Sequence, residues 1–521
     1  MYLRPKNIRV LVVEPANQHP PYERARPNGS LGPAYIVGAL RKNGIEADYL
    51  DATVGLPGTN LDKTFFLRTE MQNGNVRCGM SADEMAEIFC AYDIIATSSI
   101  FTVQTRMHFE VAAVANRVQK EHGKPQLVVS GGVNARALKD HFLANGFDVV
   151  ALGEGERTIV QIVEQLTSGQ PDYSKVERVA FRLDGRTVVT SAPPRKNLKF
   201  IDDVPSPALD ALPLETYEEL GIPHAGFPLR GTMFAALQTS RGCQDACTFC
   251  HISLEKRDRD ELGNIGFLRM FSNERVADDV SRAYSLGVRR LYFEDDNLFF
   301  NKKRLIELAP LIKRKDLSYS DVNGANLRFL VRKTNTGYEP DTEFIGALAE
   351  LGLDELSLPF ETRNEEMMKK YATGKYDPEE MNPIGILKAV KAAGIRPTSN
   401  FLIGFRDESW ESVLRTKEFA KELFAEGLDS AGFAIPVPYP GTLDFEFQMT
   451  NEKIRKDFNE NLLRYTDQMH IRGRPLFPTE IPGEKLQAAV REFWEELNAL
   501  TYVNAVNSMR ASGNQPVQAK H

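Results

Sequence analysis

Residues 239–251 read TSRGCQDACTFCH, and within them Cys243, Cys247 and Cys250 stand in the spacing Cys-x3-Cys-x2-Cys. Thiolates at this density suit a soft metal centre, either zinc or an iron–sulfur cluster. A cubane cluster has about four irons, so three thiolates leave one iron open to chelation by an amino-acid ligand. Zinc would want a fourth protein ligand. His251 is at hand, but its adjacency to Cys250 makes binding of one ion by both awkward. Gly242 lets the backbone turn tightly into the loop. The other two cysteines, Cys78 and Cys90, are solitary and read as plain thiols. An odd, low count in a chain of 521 residues does not suggest a disulfide scaffold.

Such a loop needs a strand to carry it. MFAALQTS, beginning at Met233, runs straight into the cysteines. This places them at the C-terminal end of a strand, where parallel barrels keep their active sites. RRLYFED, DELSLPFE, TSNFLIGF and SAGFAIPV follow, separated by helix-like sequence, and predict a full or partial parallel barrel over 231–445. Residues 446–521 read as a helical region, with an amphipathic pattern over 484–508 and a frayed tail, GNQPVQAKH.

The first 172 residues alternate as well. Strands are expected at 8–13, 47–50, 93–99, 126–130 and 149–152, with helices at 34–42, 108–122 and 135–144. Alternating β and α units imply an α/β, doubly wound parallel sheet of Rossmann type. Such sheets bind ligands beyond the carboxyl ends of their strands, at the switch in strand order. The small and polar residues sit at those ends: Thr97-Ser98-Ser99, Gly131-Gly132-Val133-Asn134 and Gly153-Glu154-Gly155-Glu156. Between the two alternating regions, 173–230 is irregular and Pro-rich (IDDVPSPALDALPLETY) and reads as a linker.

Composition narrows the class. Two or three domains are expected at roughly 100–200 residues each. A net charge of −7 argues against a nucleic-acid binder with a broad basic face. No apolar run approaches the roughly 18 residues of a membrane span. MYLRPKNIRVLVVEP is too short in its apolar part for a signal peptide and reads as a first strand, so a soluble, cytoplasmic protein is expected. The sequence shows no internal repeats and no low-complexity segments.

The cysteine loop is similar to the signature of the radical S-adenosylmethionine (SAM) superfamily. The chain over about 8–445 resembles its cobalamin-dependent branch, which sets a cobalamin-binding Rossmann-type domain before the radical SAM barrel. The resemblance is carried by LGPAYIVGALRKNGIEADYLDA, ATSSIF, GGVNA and ALGEGERT in the first region, and by YFEDDNLFFN, LSLPFET, KAVKAAGI, FLIGFRDES and PVPYPGT in the second. It implies three cofactors: a 4Fe-4S cluster on Cys243, Cys247 and Cys250, SAM, and cobalamin. For SAM it implies Phe249, Asp295, Asp296, Glu361, Gly404 and Phe405, with Glu361 on the ribose and Gly404 and Phe405 against the adenine. Cobalamin is expected to enter near Ser98, Ser99, Gly131, Gly132, Gly153 and Glu154. One corrinoid pattern, Asp-x-His-x-x-Gly, is missing: Asp140-His141 lacks the intervening residue, which leaves the lower cobalt face unassigned.

The resemblance implies a methyltransferase that adds a methyl group to an unactivated carbon, consuming one SAM as methyl donor and a second as radical source. RCGMSADEMAEI and SSIFTVQ resemble phosphonate C-methylases, which implies a small anionic biosynthetic intermediate as substrate. The alternative is a cyclase, oxidoreductase or ring-rearranging enzyme with the same cofactors and no methyl transfer. A corrinoid-binding or electron-carrying protein without catalysis is a third reading, disfavoured by the full set of barrel motifs. The partners implied are a small-molecule substrate and an external electron donor such as flavodoxin or ferredoxin.

Overall fold

The computed structural model describes residues 8–27, 29–123, 126–193, 200–223, 231–335, 337–377 and 380–511, with side chains as far as residue 497. The tail GNQPVQAKH and the linker stretches 194–199 and 224–230 lie outside the described residues. The chain falls into two units: Met1–Gln244 with Cys250–Asp295 and Tyr439–Met469, and Asp245–Phe249 with Asp296–Pro438 and His470–His521.

In the first unit the apolar run RVLVVE forms β1 (Arg9–Glu14), with its four central residues buried as in a strand covered on both faces. β2 (Glu46–Asp51) pairs with it in parallel, Val10 opposite Ala47. On the other side of β1 lie β3 (Ile94–Ser98), β4 (Leu127–Gly131) and β5 (Val149–Ala151), all parallel. Two further strands, β6 (Val179–Leu183) and β7 (Arg186–Val189), form an antiparallel hairpin beside β5. The sheet order is β7-β6-β5-β4-β3-β1-β2, seven strands among the described residues. The hairpin comes from sequence read as the start of the linker. Its residues 182–188 are mostly polar and carry an Asp184-Gly185 turn, so apolar periodicity gives little sign of it.

The chain leaves β1 towards β2 on one side and β3 on the other, so the switch in order lies between β1 and β3. The helix Leu31–Lys42 ends at Asn43-Gly44, where Gly44 takes the left-handed conformation (φ 72°). The expected helix over 135–144 is two pieces, Val133–Ala137 and Lys139–Ala144, because Leu138 departs from helical backbone angles. Val10, Val12, Ala96, Val129 and Val149 pack with Ile159, Ile162 and Val163 in the core.

The same unit contains two strands of the later series, β8 (Phe234–Leu237) and β9 (Arg290–Phe293), parallel with Phe234 opposite Arg290. It also contains the helices Leu443–Met449, Glu452–Glu460 and Leu462–Thr466. Buried Asp467 ties this last segment in, accepting from Arg106 Nη2 at 2.6 Å and Gln18 Nε2 at 2.9 Å.

In the second unit β10 (Ser318–Asp321), β11 (Leu353–Ser357), β12 (Arg396–Leu402) and β13 (Ser430–Ala434) lie side by side in parallel. Helices alternate with them, including Thr342–Leu351, Pro383–Ala392 and Trp410–Ala425. β10 was absent from the sequence reading because SYSD has no apolar run. The C-terminal helix Gly483–Ala511 packs on β13 through Phe493 and Phe433, with ring centroids 5.2 Å apart. Among the described residues no helix is long and apolar enough to cross a membrane.

Candidate active site

A cavity of about 320 Å³ opens at the switch between β1 and β3. Ser98, Gly131, Gly132, Gly153 and Glu154 line it, together with the apolar Val12, Ala96, Val129 and Ile162. The glycines keep this floor free of side chains. At Gly132 (φ 89°) a Cβ would run into the Ser99 carbonyl, so the turn admits only glycine. Ser99 is fully buried and does not line the cavity; its hydroxyl accepts from Asn134 Nδ2 at 2.9 Å and its carbonyl from Asn134 N at 3.1 Å. It shapes the Gly131-Gly132 turn and offers no group to a ligand there.

Glu154 lines the cavity but is already engaged. Its two oxygens take Arg241 Nη1 at 3.0 Å and Arg269 Nη1 at 2.8 Å. Burial opposes its ionisation, but the two guanidinium charges outweigh that and hold its carboxyl below the usual range. Two other groups in the cavity are free to act. The buried Tyr35 hydroxyl has no hydrogen-bond partner among the described residues, and burial raises its pKa so that it stays a donor. Glu294, just beyond β9, forms no side-chain hydrogen bond or ion pair among the described residues; burial and the Asp295 charge push it up to about 7. A crevice with apolar walls, a bare glycine floor and an unanswered donor fits a ligand with a flat apolar part and hydrogen-bond acceptors.

Asp295, expected at SAM, is buried and faces Thr239 and Ser240. It accepts from Thr239 N at 3.0 Å, Thr239 Oγ1 at 2.7 Å and Ser240 Oγ at 2.6 Å, bracing the strand end that enters the cysteine loop. Asp296 is half-buried and opens the second stretch of the other unit. Sequence reasoning chose the twin aspartates and passed over Glu294. The signal lay in strand alternation, which sends Glu294 and Asp295 to opposite faces.

Cys243 and Cys250 are half-buried and Cys247 is buried. Gly242 (φ 81°) enters the loop beneath the Phe267 carbonyl, and Cys243 N donates to Gly266 O. In the second unit Thr248 N donates to Tyr371 O at 2.9 Å, the Cys247 thiol faces Thr373 O at 3.8 Å, and Asp245 pairs with Arg328 at 2.6 Å and with Asn326. Among the described residues no group of three or more His, Cys, Asp or Glu side chains is drawn together as a ready metal site. The fit for a cluster therefore rests on the chemistry of the donor set: three thiols on one short loop.

Phe249, Gly404 and Phe405 do come together. Phe405 stacks on Tyr371 with centroids 4.8 Å apart and lies 6.3 Å from Phe249, forming an apolar floor with Met367 and Leu402. Gly404 (φ 84°) and Phe405 donate their amides to buried Glu408 at 2.7 and 3.3 Å, which fixes the turn. Glu361 is 5% exposed and ion-paired with Lys375. It is one of three non-glycine residues in left-handed backbone among those described (φ 57°), a conformation that costs about 1–3 kcal/mol and tends to persist at functional sites. Lys375 was not read from the sequence; nothing in KYATGKYD links it to a glutamate 14 residues earlier.

The radical SAM superfamily model matches residues 237–420, so the chain carries a radical SAM domain, and that domain implies a 4Fe-4S cluster and SAM. The chain is 28% identical over 396 residues to an uncharacterised methyltransferase, PH0819, of Pyrococcus horikoshii, covering 75% of this chain and 77% of the relative. It is 24% identical to the cytidylyl-2-hydroxyethylphosphonate methyltransferase of Streptomyces wedmorensis, covering 94% and 90%. Its fold is similar to that of the cobalamin-dependent SAM radical enzyme OxsB with aqua-cobalamin bound (TM-score 0.58, 18% identity), covering 87% of this chain and 57% of OxsB. It is also similar in fold to the radical SAM methyltransferase TsrM of Kitasatospora setae with cobalamin and a 4Fe-4S cluster bound (TM-score 0.59, 16% identity, 85% and 78%).

Proposed function

We propose that this enzyme is a cobalamin-dependent radical SAM methyltransferase that adds a methyl group to an unactivated carbon of a small anionic biosynthetic intermediate. The observation that carries the reading is the glycine-floored crevice at the β1/β3 switch of a chain that also holds the three-cysteine loop. Two relatives named as methyltransferases, one of them acting on a phosphonate, support methyl transfer and an anionic substrate. We assign 1–172 to corrinoid binding, 173–230 to a linker whose first part adds the hairpin β6–β7 to the sheet, 231–445 to the radical SAM barrel and 446–521 to the C-terminal helical region.

When bound, the cluster and SAM supply a deoxyadenosyl radical that abstracts a substrate hydrogen, and the corrinoid supplies the methyl group. The chain's own residues hold these groups. Cys243, Cys247 and Cys250 provide the thiolates. Ser98, the Gly131-Gly132 and Gly153 backbone and the Tyr35 hydroxyl receive the polar end of the corrinoid tail, while Val12, Ala96, Val129 and Ile162 take its apolar part. Phe249 and Phe405 lie under the adenine, and Glu361, oriented by Lys375, accepts from the ribose. Asp295 braces the strand end, and Glu154 anchors Arg241. The reading places the enzyme in the cytoplasm with a flavodoxin- or ferredoxin-like donor.

The test is isotopic. With SAM carrying a deuterated methyl group, and a phosphonate candidate substrate, the product should carry the label. S-adenosylhomocysteine and 5′-deoxyadenosine should appear in nearly equal amounts at early times. Deoxyadenosine with an unlabelled product would overturn methyl transfer and leave a cyclising or rearranging radical SAM enzyme.

A further inference from the structure

Both ends of the cysteine loop are fastened to the two loops that shape the crevice. On entry, Arg241 lies two residues before Cys243. Its guanidinium pairs with Glu154 at 3.0 Å and Glu156 at 2.7 Å, donates to Gln238 Oε1 at 2.9 Å, and sits 4.6 Å above the Tyr35 ring. Arg269 doubles the grip on Glu154. On exit, Glu255 lies five residues after Cys250. It pairs with Arg136, which stands just beyond the Gly131-Gly132 turn, and accepts from His251 Nδ1 at 3.0 Å. Arg136 also donates to the Leu152 carbonyl at 3.2 Å, next to Gly153, and so joins the two crevice loops to each other.

Four of these side chains are shielded from water. Arg241, Arg136, Glu156 and Glu255 are only 13, 11, 10 and 9% exposed. A charge buried this deeply is costly to leave alone, so neither loop can shift without carrying its partner. A ligand entering the crevice must settle the Gly131-Gly132 and Gly153-Glu154 loops. The same settling fixes the backbone before Cys243 and after Cys250.

We infer that the Arg241–Glu154/Glu156 and Arg136–Glu255 pairs are positioning residues that couple the two cofactor sites, so that filling the crevice orders the cluster loop and assembling the cluster tightens the crevice. This rests on the assignment of corrinoid to the crevice and of the cluster to the cysteine loop. Coupling between sites is reciprocal: whatever factor the cluster adds to corrinoid affinity, the corrinoid returns to the cluster.

Full-length protein is titrated anaerobically with hydroxocobalamin before and after cluster reconstitution. The cluster's electron paramagnetic resonance (EPR) spectrum is recorded with and without the corrinoid. The expected result is a corrinoid affinity about 5- to 150-fold higher with the cluster in place, the usual range of coupling between sites, and an EPR spectrum that changes on corrinoid addition. In Arg136→Met/Glu255→Met, which removes both charges together, the affinity ratio should fall towards one while both cofactors still bind; Arg136→Lys should restore part of it. Equal corrinoid affinity with and without the cluster in the native protein would overturn the coupling and leave the two sites assigned. Failure to bind corrinoid or iron at all would overturn the site assignments themselves, and the coupling with them.

Discussion

The crevice and the Phe405 floor are built by different physics. Around the crevice, charge does the holding: Glu154, Glu156 and Glu255 are each pinned by arginine. Around Phe405, rings do most of it, with buried Glu408 fixing the Gly404-Phe405 turn and Lys375 paired with Glu361. Arginine–carboxylate pairs fix distance and direction, as suits loops that keep one geometry. Stacked rings tolerate sliding and favour a flat group that enters and leaves at each turnover. The carboxylates show the same contrast. Burial opposes ionisation of Glu255, but Arg136 and His251 outweigh it and hold it at about 2, whereas unpaired Glu294 is pushed up to about 7.

The largest expected effect comes from the cysteine loop. Changing Cys243, Cys247 and Cys250 together to Ala should abolish binding of the about four irons of a cubane cluster, and SAM cleavage with it. Corrinoid should still bind, more weakly, because the glycine floor and Tyr35 are untouched. Iron analysis and visible absorption read the two separately. Loss of corrinoid binding in a folded triple variant would show that the crevice does not stand on its own.

A smaller effect is expected at the ring-lined region. Glu361→Ala should keep its iron and lose SAM affinity by roughly 10- to 150-fold, the equivalent of a charge-assisted hydrogen bond of about 1.5–3 kcal/mol. Calorimetry on the reconstituted protein measures it. Unchanged affinity would make Glu361 a partner for Lys375 alone.

The smallest effect concerns Glu294 and is read as stability against pH. Its folded value of about 7 lies above its ordinary 4.5, so the folded state holds the proton more tightly. That contribution is complete below pH 4.5 and is lost as pH rises through 7. Glu294→Gln should flatten the decline over this window and be more stable than the native protein at pH 8, by roughly 1–3 kcal/mol at about 1.4 kcal/mol per unit. Urea midpoints at pH 5 and pH 8 decide it. A native protein equally stable at both, with the variant unchanged, would mean that Glu294 is paired.

The sequence made some of this legible and hid the rest for physical reasons. Apolar runs announced β1, β3 and β4, because a parallel strand covered on both faces has few polar residues. Ser318–Asp321 escaped because its buried residues are Tyr, Ser and Asp, whose burial depends on neighbours distant in sequence. The cysteine loop was plain because its three cysteines lie within eight residues. The arginine clamps were not: Arg241 meets Glu154 across 87 positions, and Arg136 meets Glu255 across 119. No local pattern marks one arginine among many as the partner of a particular glutamate. Glu154 itself was read as a ligand contact because it stands at the expected strand end, and only the pairing reveals it as an anchor.

The clamps also bear on how such proteins can be recombined. Arg136, Glu154 and Glu156 precede the Pro-rich segment, and Arg241, Glu255 and Arg269 follow it. A chimaera joined in that segment, with residues 1–230 taken from a relative, inherits one half of each pair from each parent. Unless the donor brings its own arginine and glutamates to those places, the hybrid buries unmatched charge on both sides of its cysteines. The Pro-rich segment is thus a convenient place to cut the gene and a poor place to exchange parts, and this line of enzymes would diversify with its two halves inherited together.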